Sequence, residues 1–172
     1  MPVTLETERL LLRPWRRDDL DPYARIVADP EVMATMLGPV PRERAVAQVA
    51  RFAAGDRIYH WAAELRATGE LVGRIGLLEH PEFPGPDRVE VGWLLARGAW
   101  GRGLATEGGA AALAHAFGEL GLSRVISLTL RGNVRSRAVM ERLGMTRRGE
   151  LEWRGHPHVW YAVEREAFAD GG

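Results

Sequence analysis

Between residues 89 and 143 the hydrophobic period of the chain switches three times. Apolar residues fill "VEVGWLL" (89–95) and then recur at helical spacing over 104–120. They fill "RVISLTL" (124–130) and return to helical spacing over 134–143. Gly121 and Gly144 stand where a left-handed residue ends each helical run. Two strands joined through a helix lie parallel in one sheet, so this stretch demands a βαβ crossover.

The first half reads differently. "RLLLRP" (9–14) is a strand stopped by proline, and "RRDDLDPYARIVAD" is a helix entered through Asp18 or Asp19. A second helix runs over 41–54, with proline at its first position and Gly55 to end it. Residues 59–65 and 71–78 form a hairpin across "RATGE", and "EHPEFPGPDR" is a proline-rich loop. Strands at 145–153 and 159–164 flank "RGHP". Hairpins followed by alternation predict an α+β fold. Its sheet is mixed and mostly antiparallel, with about seven strands and about four flanking helices. At 172 residues, 46% hydrophobic, the chain suits a single domain over 1–172.

The turn "GAWGRG" between strand 89–95 and helix 104–120 carries a chemical signal. Glycines there permit positive φ and close approach of a ligand, and the free N–H groups of a helix start face an anion. The chain has no lysine, so a Walker A loop, whose lysine reaches the β/γ-phosphates, is excluded. The dinucleotide fingerprint fails because Gly101-Arg102-Gly103 is followed by Leu104, Ala105 and Thr106. On its own a lone glycine pair reads more readily as an ordinary strand-to-helix connection.

The 23 basic residues, all arginine, balance 23 acidic ones, so no overall basic field argues for nucleic acid. Without cysteine there is no disulfide, thiolate nucleophile or cysteine metal site. Neither the N-terminal stretch nor any later one has the apolar length of a signal peptide or membrane span, and the expectation is a cytoplasmic protein.

"WLLARGAWGRGLATEGG" resembles the acyl-CoA pyrophosphate loop of the GNAT superfamily of N-acyltransferases. With Trp100 where that superfamily often has Gln or Arg, it is similar to the branch of RimJ- and RimL-like ribosomal-protein N-terminal acetyltransferases. "TERLLLRPW", "TGELVGRIGL", "VEVGWLL", "NVRSRAVMERLGM" and "HVWYAVEREAF" resemble the same branch in order along nearly the whole chain. The resemblance implies a GNAT fold, a sheet splayed between strands 89–95 and 124–130, and acetyl-CoA as cosubstrate. Pantetheine would lie in the gap against backbone groups of Trp93, Leu94 and Leu95. Gly101, Arg102, Gly103, Leu104, Ala105 and Thr106 would take the pyrophosphate, with Arg97, Arg102 and Arg137 as supplementary cations.

Acyl transfer to an amine needs a base, an oxyanion donor and an acid for the leaving thiolate. The resemblance suggests Glu90 as base and the backbone N–H of Leu94 as oxyanion donor. Many relatives carry a tyrosine acid where this chain has Met140, which leaves Ser136, at Asn-x-x-Ser spacing from Asn133, as the hydroxyl for the thiolate. Each has a plainer reading: Glu90 as an outward or ion-paired strand residue, Asn133 and Ser136 as helix caps. No metal is expected, since His156 and His158 lack a third ligand and His60 and His115 read as structural. Trp15, Trp61, Trp153 and Trp160 are candidates to wall the acceptor cleft, with core and interface packing as the default for aromatics, and the resemblance gives residues 29–41 and 154–157 as the segments that shape it. The acceptor is read as a protein or peptide N-terminal α-amine. The alternatives are a small-molecule amine or a non-catalytic acyl-CoA-binding module. A homodimer is compatible with all three.

Overall fold

The computed structural model describes residues 3–55 and 58–170, so Met1 and Pro2 of the N-terminal stretch lie outside it. Eight strands form one sheet: β1 (Leu5–Glu6), β2 (Leu10–Arg13), β3 (His60–Leu65), β4 (Leu71–Glu79), β5 (Val89–Leu95), β6 (Arg124–Leu130), β7 (Thr146–Trp153) and β8 (His156–Glu164). Their spatial order is β1-β2-β3-β4-β5-β6-β8-β7, and every pairing is antiparallel except β5 with β6. Among the described residues five α-helices accompany them: α1 (Leu20–Ala28), α2 (Arg42–Ala53), α3 (Leu104–Gly118), α4 (Val134–Arg142) and α5 (Arg165–Asp170). The expected mixed sheet with its crossover is present. The two-residue β1 and six-residue α5 were not anticipated, being too short to show a period.

Alternation along the strands sorts side chains onto two faces. Trp61, Ile75, Leu77, Val91, Val125 and Tyr161 face α3 and α4 in the larger core. Ala62, Leu71 and Leu94 face α1 and α2, whose Tyr23, Val27, Val49 and Phe52 complete a second core. On the same side of β6 and β8, a third cluster joins Phe83, Ile126, Trp153 and Ala162. Helix α3 lies close to the sheet because Gly108 has no side chain; a carbon there would come within 2.4 Å of Ile75 Cδ1.

Two ionic clusters explain motifs of the N-terminal segment. Buried Arg13 grips buried Asp19 with both terminal nitrogens at 2.8 Å and donates Nε to Glu64 at 2.6 Å. Asp19 also accepts the Arg16 backbone N–H at 2.6 Å. Removing one member strands a buried charge, at a cost of about 3–5 kcal/mol. Thr7 and Arg9, six and four residues before Arg13, instead reach Glu107 in the first turn of α3.

The β7–β8 turn is shorter than expected. Arg154 and Gly155 both take left-handed φ, 49° and 78°, as a two-residue hairpin turn requires, and His156 and Pro157 already belong to β8.

Candidate active site

β5 and β6 pair only at Glu90 and Ile126. Just beyond, the buried Ser127 hydroxyl donates to the Val91 carbonyl at 2.9 Å and closes the bottom of the split. From there the parallel strands separate, and β5 offers unpaired backbone groups to the gap. Which groups these are follows from the antiparallel register with β4. A side-chain carbon at Gly73 would lie 2.1 Å from the Leu94 carbonyl oxygen, and Ala96 N–H donates to Val72 O at 2.8 Å. Even-numbered backbone groups of β5 therefore face β4, and odd-numbered ones face β6. This corrects the expectation for Leu94: its N–H is spent on β4, and Trp93 and Leu95 present theirs to the gap. The Leu95 carbonyl accepts the Trp100 indole N–H at 2.9 Å, and the Arg135 guanidinium lies 4.1 Å over that indole.

Beyond β5 the chain turns through Gly101 (φ 68°) and Gly103 (φ 74°) into α3. The first intrahelical bond is Glu107 N–H to Gly103 O, which leaves the N–H groups of Leu104, Ala105 and Thr106 without helical partners. Leu104 anchors this turn in the core. The Thr106 hydroxyl is buried and has no protein partner. Oriented donors, an orphaned hydroxyl and the positive end of a fifteen-residue helix suit a pyrophosphate.

The three candidate arginines differ in position. Arg102 is exposed and carries no ion pair among the described residues. Arg97 pairs with Glu31, both side chains more than half exposed. Arg137 donates to the Tyr161 hydroxyl at 3.4 Å and to Arg131 O at 3.3 Å. Sequence reasoning missed Arg9, whose guanidinium donates to Arg102 O at 2.7 Å and lies beside Gly103.

Glu90 sits at the point where the strands part, on the α1–α2 face, with its side chain 14% exposed. Its Oε2 lies 2.5 Å from His80 Nε2, and its Oε1 accepts the Leu128 N–H at 3.3 Å. Beside it, Gly92 leaves the sheet bare: a side chain there would meet His60 Cε1 at 3.3 Å. Arg74 donates to His60 Nδ1 at 2.6 Å, so the proton of the neutral ring rests on Nε2. Burial first, then the charges of Arg74, His80 and Arg51, hold the His60 pKa well below its usual range. Arg74 lies over Phe52 and also donates to the Tyr23 hydroxyl.

Aromatic clusters flank Glu90 and Gly92 on both sides, through Phe52 stacked on His60 and Trp153 against His80. Trp15 packs on Tyr23 and Phe52, while Phe83 packs between Trp153 and Trp160. Trp61 does not take part, because its odd position turns it to α3, where it meets His115.

Across the gap, Asn133 caps α4. Its Oδ1 accepts the Ser136 N–H at 3.2 Å, and its Nδ2 donates to Thr129 Oγ1 and Ser136 Oγ. The capping reading of Asn133 is thus realised, and Ser136, as acceptor, keeps its own hydroxyl hydrogen. Met140 is buried in the core. No group of three His, Cys, Asp or Glu side chains among the described residues could hold a metal, and no described helix is long and apolar enough to cross a membrane.

The family model described as "Acetyltransferase (GNAT) domain" matches residues 9–146. An acetyltransferase structure from Agrobacterium tumefaciens superposes with a TM-score of 0.83 at 31% identity, over 94% of each chain. The uncharacterized N-acetyltransferase YoaA of Bacillus subtilis is 29% identical, over 86% of this chain and 85% of its own length. The FsC-acetyl coenzyme A-N(2)-transacetylase of Aspergillus fumigatus is 33% identical, over 83% of this chain and 65% of its own. With a matching family model over most of its length, a shared fold and a split sheet beside a glycine turn that leaves helix-start N–H groups unpaired, the chain belongs to the GNAT family of acetyltransferases, acyltransferase enzymes that use acetyl-CoA.

Proposed function

We propose that residues 1–172 act as one catalytic domain that acetylates the free α-amine of a protein or peptide N-terminus, as in the RimJ/RimL-like branch it resembles. The observation that supports this reading is the Glu90 carboxylate at the apex of the split, held by His80 between two aromatic clusters. Acetyl-CoA supplies an activated acyl thioester. Trp93 and Leu95 backbone groups hold its pantetheine, and the 101–106 turn holds its pyrophosphate. Arg102 supplements that turn, and Arg97 can leave its exposed pair with Glu31 for a phosphate at little cost. Asn133 and Arg137 flank the gap from α4.

Glu90 accepts the proton that the amine loses as the C–N bond forms. The Trp93 N–H donates to the carbonyl oxygen as charge develops on it, and the Ser136 hydroxyl donates to sulfur as the C–S bond breaks. With no cysteine in the chain, no cysteinyl acyl-enzyme can form, and the amine attacks directly in a ternary complex.

An α-amine, with a pKa of about 7.7–8.0 against about 10.4 for lysine, offers far more neutral nucleophile at pH 7. The carboxylates of the proline-rich loop are already matched, Glu82 with Arg154 and Asp87 with Arg124, so they make a poor receptor for a polycation. The name of the A. fumigatus relative, an N(2)-transacetylase, favours a small-molecule amine as the second reading. A peptide bearing both a free N-terminus and an internal lysine separates the outcomes by mass spectrometry. Acetyl on the N-terminus is expected. Acetyl mainly on lysine, or on neither while a small amine reacts, overturns the α-amine assignment.

A further inference from the structure

His80 gives no signal in the sequence; it is one residue of a proline-rich loop. In the fold it is 3% exposed, and every constraint on it points its ring at Glu90. Its backbone N–H donates to Arg88 O at 2.8 Å, and its carbonyl accepts the Phe83 N–H at 3.0 Å, so both ends of its backbone are tied within the loop. Trp153 meets its ring edge-on at 5.3 Å. Nε2 lies 2.5 Å from Glu90 Oε2, and Nδ1 is buried without a protein partner. A buried imidazole with a single polar contact is costly to fold, and here that one contact is to the carboxylate at the apex of the split.

We propose that His80 is a positioning residue: its Nε2–H fixes Glu90 Oε2, so that Oε1 alone faces the attacking amine. This inference rests on Glu90 being the base. An ionised carboxylate only accepts hydrogen bonds, so the shared proton belongs to Nε2. The other anchor of Glu90, the Leu128 N–H at 3.3 Å, is long and holds Oε1 weakly. Without His80 the carboxylate can rotate toward the bare surface over Gly92, and the oxygen that must receive the amine's proton loses its direction. The proton moves from the amine nitrogen to Oε1 and then to water, while the His80–Oε2 bond persists throughout. His80 itself touches neither substrate.

The consequence is a dependence of His80 on Glu90 that a loop-stabilising histidine would not show. His80→Leu is expected to lower kcat between about tenfold and a hundredfold, with KM for acetyl-CoA unchanged. His80→Gln, which can put an amide N–H near the position of Nε2, is expected to recover most of that loss. In a Glu90→Gln background neither substitution at position 80 should lower kcat further. In the folded parent, the 15N resonance of His80 Nε2 should move on Glu90→Gln, a readout that survives if His80→Leu does not fold.

A slow Glu90→Gln enzyme beside a His80→Leu enzyme with parental kcat overturns this inference alone. So does a full additional loss from His80→Leu on top of Glu90→Gln, or a His80 Nε2 resonance that ignores Glu90→Gln. A Glu90→Gln enzyme with parental turnover overturns the base assignment and this inference together.

Discussion

Glu107 holds Arg9 across 98 positions of sequence: its Oε1 accepts the Arg9 backbone N–H at 2.8 Å, and its Oε2 accepts Arg9 Nε at 2.7 Å. Thr7 adds its hydroxyl to Oε1 at 2.5 Å. Burial would raise the Glu107 pKa, but donation from Thr7 and Arg9 outweighs it and holds the carboxyl below its usual value. The start of β2 is thereby stapled to the first turn of α3, beside the unpaired N–H groups of Leu104, Ala105 and Thr106. Glu107→Ala should cost about 1–3 kcal/mol, because Thr7 and the Arg9 N–H lose their acceptor. It should also weaken acetyl-CoA binding. Thermal melts and acetyl-CoA titration check both, and unchanged affinity would separate the staple from the loop.

Acetyl-CoA binds only the folded chain, so it should raise the melting temperature as its concentration passes Kd. Gly103→Asp should abolish that rise, since it places a carboxylate against the pyrophosphate and a side chain at a φ of 74°. A variant that is stabilised as much as the parent would be incompatible with the loop assignment.

Ser136→Ala and Glu90→Gln should lower kcat, about tenfold and about a hundredfold, while leaving acetyl-CoA affinity largely intact. Ser136 accepts from Asn133 Nδ2, so its removal leaves the capping Oδ1 contact in place and should cost little stability. Steady-state kinetics with calorimetric binding decide the matter. Parental turnover in both variants would leave these residues with structural roles only.

Acid should destabilise the protein in two stages. His60 is neutral in the fold with a depressed pKa, so the unfolded chain binds the extra proton first, and stability begins to fall as pH drops below about 6.5. The Asp19 pKa is also lowered: burial would raise it, but Arg13 and the Arg16 N–H prevail. Its contribution is intact above the usual carboxylate range and is lost as pH falls below about 4 through the folded value. Asp19→Asn should lower stability at pH 7 and flatten the second stage. Urea unfolding at a series of pH values gives both slopes, and parallel curves for parent and variant would contradict the linkage.

The sequence made the crossover visible because a period of 2 and a period of 3.6 leave different apolar patterns, and the two left-handed glycines after α3 and α4 mark their ends. The glycine turn into α3 is legible for the same local reason. Leu94 was misread because its orientation depends on which backbone groups β4 consumes, a matter of register that no stretch of β5 encodes. Residue type alone cannot tell whether Trp61 lines a cleft or packs in the core; strand parity turns it to the α3 face, the default core reading. His80 and Arg9 escaped notice because their partners, Glu90 and Glu107, become neighbours only through the folded sheet.

A split sheet carries two unpaired strand edges in its interior, and a free edge is the usual template on which a foreign strand adds and aggregation begins. Trp100 caps the open end of one of them: its indole N–H takes the Leu95 carbonyl, and Arg135 from the far bank lies over the ring. A bulky aromatic in the turn after β5 therefore occupies one end of the opening and leaves less free edge there for a stray strand to pair with. The protein can keep a binding groove shaped like a missing strand without inviting its neighbours to supply one.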